Sequence, residues 1–179
     1  MPPAEATRAS DPSADAVLLP GWLVLGSLTL PGGPEHVRPA RQFVAGKVGD
    51  DPDIDAVLLL TSELVTNAVL HSKSALPGGT FEVVVARNLI SLLVLVSDDG
   101  SESGDPVVRG DPGAESGNGL LLVQTLSDEW GYWHDGERTA VWFQLRSPGR
   151  PDLRLHHRSP ELAQRRKPAW RMYAALRSS

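Results

Sequence analysis

The longest regular alternation of apolar and polar positions lies in residues 54–72, IDAVLLLTSELVTNAVLHS. Apolar residues recur at Val57, Leu60, Leu64 and Ala68, and again at Leu58, Val65 and Val69. That spacing fits a 3.6-residue period and predicts a helix buried on most sides. One stripe breaks the pattern. Glu63, Asn67 and His71 stand four residues apart and therefore share one helix face. An acid, an amide and an imidazole in a row each need a partner if buried, so the stripe is expected to line a polar cleft. An acid can position or deprotonate a nucleophile, and an amide oxygen can hold a hard cation such as magnesium. In the alternative reading, Glu63 is exposed, Asn67 caps a loop, and His71 sits at the helix C-terminus, where partial negative charge favours it.

The flanking patterns give the remaining elements. Trp22 to Leu30 reads as a first strand, ended by Pro31, Gly32 and Gly33. A helix follows from about Pro34 and frays at Gly46 and Gly49. Asp50, Asp51, Pro52 and Asp53 make the turn into the central helix, where acids suit a helix start. Two strands, Thr80 to Arg87 and Leu89 to Ser97, form a hairpin about Arg87 and Asn88. The second runs into Asp98, Asp99 and Gly100. Residues 101–118 are polar and long for a connection, which predicts a functional lid or a mobile loop. A second helix opens at Gly119 as GLLLVQTLSDEWG, in a region ended by Gly131. Its glycine-flanked start (Gly117, Asn118, Gly119) would offer free N–H groups to an anion. A strand at about Glu129 to His134 turns through Asp135 and Gly136 into a last strand, Thr139 to Leu145. This order predicts an α+β two-layer sandwich: a mixed, mostly antiparallel sheet with helices on one face.

Composition narrows the class. A chain of 179 residues is enough for one domain with a core. No run of about 18 apolar residues is evident, so no membrane-spanning helix is expected. The start shows no basic and apolar signal pattern. With no cysteine, disulfides and thiolate chemistry are excluded. A cytoplasmic location is the expectation. Charge is split along the chain. Residues 1–145 hold 8 Lys+Arg against 20 Asp+Glu, whereas residues 146–179 hold 9 against 2. The acidic body argues against direct nucleic-acid binding. Residues 1–20, rich in Pro, Ala, Ser and Asp, are expected to be a disordered leader. Residues 21–146 form the domain. Residues 147–179 form a basic tail, read either as solvated or as a short helix over 160–176 that docks on an acidic partner or latches onto the acidic body.

Taken together, ELVTNAVLH, a strand ending in VSDDG, then GNGLLLV and a final TAVWFQL strand resemble the ATP-binding proteins of the GHKL superfamily. That group includes gyrase, heat-shock chaperones, histidine kinases and mismatch-repair ATPases. Within it the chain looks most like the anti-sigma-factor serine/threonine kinases of bacteria and their actinobacterial relatives. The resemblance covers roughly residues 22–145. It implies ATP and magnesium as ligands. Asn67 would coordinate magnesium, and Glu63 would be the general base toward the attacking hydroxyl. Asp98 would accept from the adenine amino group, and Gly100 would let backbone pass close to the base. Gly117 and Gly119 would supply the lid hinge and the phosphate-facing helix start. Thr139 would help hold adenine, while His71 has no catalytic role. The implied partners are an anti-sigma-factor antagonist, phosphorylated on Ser/Thr, and a sigma factor. Family members of this type often form homodimers.

Two positions depart from the family pattern. Glu102 stands where the first glycine box has its second glycine, and Arg109 is the only basic residue in the 101–118 loop. They keep open a second function: a catalytically weak or inactive partner-binding module of the same fold.

Overall fold

The computed structural model describes residues 18–19, 21–101, 105–106, 118–146 and 173–174. In chain order the elements are β1 (Leu18–Leu19), β2 (Trp22–Pro31), α1 (Val37–Val48), α2 (Ile54–His71), β3 (Thr80–Arg87), β4 (Ser91–Asp98), α3 (Gly119–Leu126), β5 (Glu129–Asp135) and β6 (Arg138–Arg146). The strands form one sheet in the order β1-β2-β3-β4-β6-β5. Every described pair is antiparallel, so the expected mixture of directions reduces to antiparallel pairing alone. The two-layer α+β sandwich is as expected.

The strand alternation places the core. On the inner face Phe81, Val83 and Val85 of β3, Leu92, Val94 and Val96 of β4, and Val141, Phe143 and Leu145 of β6 meet the three helices. From α2 come Val57, Leu60, Leu64, Val65, Ala68 and Val69. Each such Val, Leu or Phe side chain contributes about 1.5–3 kcal/mol by leaving water. By length and composition α2 is apolar enough to cross a membrane, against the expectation from sequence. Here it is a core helix, with its apolar face on the sheet and its ends beside polar loops.

Local chemistry sets the boundaries. The turn before α2 is built by Asp51. Its carboxylate accepts from Asp53 N (3.1 Å), its carbonyl accepts from Ile54 N (3.0 Å), and Arg87 reaches its other oxygen (3.3 Å). The β3–β4 connection is an Asx turn in which Asn88 Oδ1 accepts from Ile90 N and Ser91 N (2.9 and 2.7 Å). The α3 helix stops at Leu126, well before Gly131. Ser127 Oγ donates to the Val123 carbonyl (2.6 Å), and Trp130 pairs with Phe143 as sheet. Leu18 and Leu19, assigned to the leader from sequence, instead pair with Leu23 and Trp22. The rest of that leader lies outside the described residues.

One buried group in α2 is unmatched. Thr61 is fully buried, and its Oγ1 has no hydrogen-bond partner among the described residues. Thr61→Val removes that desolvated hydroxyl at nearly constant shape. It is expected to stabilise the protein by about 1 kcal/mol in urea unfolding. A loss of the same size would show the hydroxyl to be satisfied.

Candidate functional site

The polar stripe of α2 faces the start of α3. Both Glu63 and Asn67 are half-buried, one turn apart. A β-carbon on Gly119 would lie 2.5 Å from Glu63 Oε2. The carboxylate therefore occupies space that only glycine leaves open, against the first turn of α3. Asn118 does not cap that helix with its side chain. The first N–H groups of α3 and its positive end thus face the same space as Glu63. His71 is exposed at the end of α2.

The far end of α2 is tied to the loop after β4. Lys73 N donates to the Gly100 carbonyl (2.7 Å). Ser74 is the hub: its hydroxyl donates to the Thr80 carbonyl (2.6 Å) and accepts from Asp99 N (3.0 Å). Asp99 in turn accepts from Thr80 N (2.7 Å) and faces Arg138 (3.6 Å). Asp99 is thus a structural brace, and Asp98 is left facing inward.

Asp98 is 8% exposed, at the end of the inner face of β4, directly across from Thr139 of β6. Its Oδ1 accepts from Gly100 N (2.7 Å). Burial pushes its pKa up to about 6. The Gly100 N–H and the charges of Arg138 and His134 oppose that rise, while Asp99 adds to it. Thr139 Oγ1 lies 3.2 Å from His134 Nδ1, and His134 Nε2 lies 2.8 Å from Asp105. The hydrogen bond from His134, helped by one from Tyr132, holds the exposed Asp105 below its ordinary pKa.

Gly100 has φ +80°, and a β-carbon there would sit 1.8 Å from the Glu137 carbonyl oxygen. The close approach seen here is to the β5–β6 turn. Gly100→Ala is expected to cost roughly 2–4 kcal/mol, from left-handed strain plus the clash. Gly136→Ala, at φ +62° with nothing within 4 Å, is expected to cost only about 1 kcal/mol. Equal midpoints in urea for the two variants would refute the clash.

Of the residues expected from sequence, Glu63 and Gly119 are brought together, Asp98 and Thr139 face each other, and Gly100 follows Asp98. Gly117 lies outside the described residues, as do Glu102 and Arg109. Sequence missed Ser74, Asp99, His134 and Arg138. The Asp98-Asp99 doublet was the only local signal for any of them.

Residues 30–145 match the histidine kinase-like ATPase domain family. The chain belongs to that family. Membership of this ATPase-domain family implies nucleotide binding. No curated protein matches the chain. Among solved structures, the chain is similar to the RsbU and RsbW domains of Rv1364c from Mycobacterium tuberculosis. Identity is 18% and the TM-score 0.48, with 68% of this chain and 32% of that chain covered. The chain thus spans about a third of that protein's length.

The residues of this histidine kinase-like ATPase domain fit a nucleotide. A buried carboxylate with one oxygen unpartnered among the described residues suits a base amino group, and a helix start without a side-chain cap among those residues suits phosphate. No group of three or more His, Asp or Glu able to hold a metal occurs among the described residues. A magnesium ion here would rest on Asn67 and on the phosphates themselves, which suits an ion that keeps most of its waters.

Proposed function

We propose that this domain binds Mg-ATP between α2, α3 and the Asp98 end of the sheet, and acts as a cytoplasmic regulator of the anti-sigma-factor type. Its partners would be a sigma factor and an antagonist protein that it phosphorylates on serine or threonine, with a second copy of the chain as a further candidate partner. The observation that carries this reading is the Glu63 carboxylate held against the start of α3 at Gly119, on the same helix as Asn67.

Each residue has a task. Asp98 accepts from the adenine amino group, with Thr139 opposite. The start of α3 at Gly119 receives phosphate, and Gly117, which lies outside the described residues, is assigned the lid hinge. Asn67 offers its amide oxygen to magnesium. Mg-ATP, when bound, would supply the phosphoryl group, and its magnesium would offset negative charge during the transfer. Glu63 accepts the proton of the partner's hydroxyl as that oxygen forms its bond to the γ-phosphorus, while the bond from that phosphorus to the β–γ bridging oxygen breaks and ADP leaves.

Titration calorimetry with ATP and magnesium tests the site. Wild type should bind. Asn67→Ala should lose about tenfold or more of the magnesium-dependent affinity, about the worth of one ligand to a charged group. Wild-type affinity in Asn67→Ala would remove Asn67 from the site. Glu102 and the sparse basic charge of the 101–118 loop favour a second reading, a partner-binding module without catalysis. Tight antagonist binding with no detectable ATP binding would select it.

A further inference from the structure

An antiparallel sheet with helices on one face normally turns alternating polar residues to water on the other. This sheet does not. All eight residues of β4 are buried. Its outward residues Leu93 and Leu95 join Val84, Ala140 and Trp142 in a second apolar cluster, on the face away from the helices. Tyr173, far beyond the family match and 1% exposed, belongs to this cluster. Its ring lies 5.9 Å from that of Trp133, tilted by 60°. Its hydroxyl donates to Glu82 Oε2 (3.2 Å), on the outward side of β3. Tyr173 and Ala174 are helical.

We infer that the outer sheet face is a docking surface built for a segment of this same chain, the basic stretch after β6, with Tyr173 as its anchor. Three observations converge on that occupant. The face is too apolar to be left wet. An aromatic ring fills it with its one polar atom satisfied, as buried tyrosines require. The stretch carrying that ring is cationic and the body beneath it is acidic, with Glu82 at the contact. Tyr173 thus covers the face of the two-layer sandwich that the helices leave open, from outside the segment matched by the ATPase family. The buried Tyr173 ring supports the latch reading of the tail. The remainder of residues 147–179 lies outside the described residues.

The test uses the full chain. In dilute wild-type protein, the amides of Tyr173 and Ala174 should be protected from hydrogen exchange, and trypsin should cut slowly at Arg171 and Arg177. Tyr173→Ala should raise the cutting rate about tenfold or more, because cleavage follows the released fraction. Tyr173→Phe should fall in between, with the ring kept and the hydrogen bond lost. Free-peptide exchange in the wild type, or equal cutting of wild type and Tyr173→Ala, would overturn the proposal. So would protection that appears only as concentration and sedimenting mass rise together, since a second copy would then supply the cover. The exchange measurement stands even if Tyr173→Ala fails to fold.

Discussion

Asp98→Asn is expected to make the ligand-free protein more stable at pH 7 and to weaken its hold on adenine nucleotides. The folded carboxyl has its pKa raised to about 6 from 3.8, chiefly by burial. Well below pH 3.8 the group is neutral in both folded and unfolded chains and carries no penalty. As pH rises from about 4 to 6, the unfolded chain ionises first and folding loses stability. Above pH 6 the loss is complete, at about 3 kcal/mol. Asparagine avoids that loss, so thermal midpoints of variant and wild type should coincide at about pH 3 and diverge by up to about 6–12 °C at pH 7. The Gly100 N–H can still donate to the amide oxygen. The amide nitrogen then stands where Oδ2 was, a donor facing a donor. Affinity for ATP should drop by roughly 10- to 100-fold, the worth of a hydrogen bond to a charged group. Wild-type ATP affinity should itself fall as pH drops below 6, when Oδ2 takes up a proton. An unchanged midpoint at pH 7 would show that Asp98 is not destabilised by burial. Unchanged affinity would remove it from the base site.

Such a residue illustrates what a sequence makes legible. The α2 helix and its stripe were readable because period and polarity are local properties: Ile54–His71 is almost the expected segment. The β3–β4 hairpin was readable because Asn88 closes its own turn. The strand from Glu129 was legible, and β5 is Glu129–Asp135, but GLLLVQTLSDEWG overlapped it because nothing there breaks the α3 helix before Gly131. What ends it is the pairing of Trp130 and Tyr132 with β6, a tertiary event. The hidden contacts join distant parts of the chain. Gly100 is fixed by the Glu137 carbonyl and His134 by Asp105, and no window of sequence holds both members of either pair. One signal was available and unused. LISLLVLVS is apolar without alternation, the mark of a strand covered on both faces, and it pointed to the cover that Tyr173 supplies.

The largest effect on activity is expected at Glu63. Glu63→Gln keeps the side chain's shape beside Gly119 but removes its capacity to take a proton. Transfer of labelled phosphate from ATP to the antagonist should drop by about 10²–10⁴-fold, the usual weight of a general base. ATP affinity should stay within about threefold, because the base acts on the hydroxyl and not on the nucleotide. Gly119→Ala acts on the same atom, since its β-carbon would lie 2.5 Å from Glu63 Oε2 and displace the carboxylate. If that displacement is how Gly119→Ala slows transfer, the double variant should be no slower than Glu63→Gln alone. Two unrelated defects would multiply. Wild-type transfer by Glu63→Gln would sink the catalytic role. No transfer by the wild type, with ATP still bound, would move the domain to the second reading in its other form: a partner-binding module without catalysis whose nucleotide, where present, is merely structural.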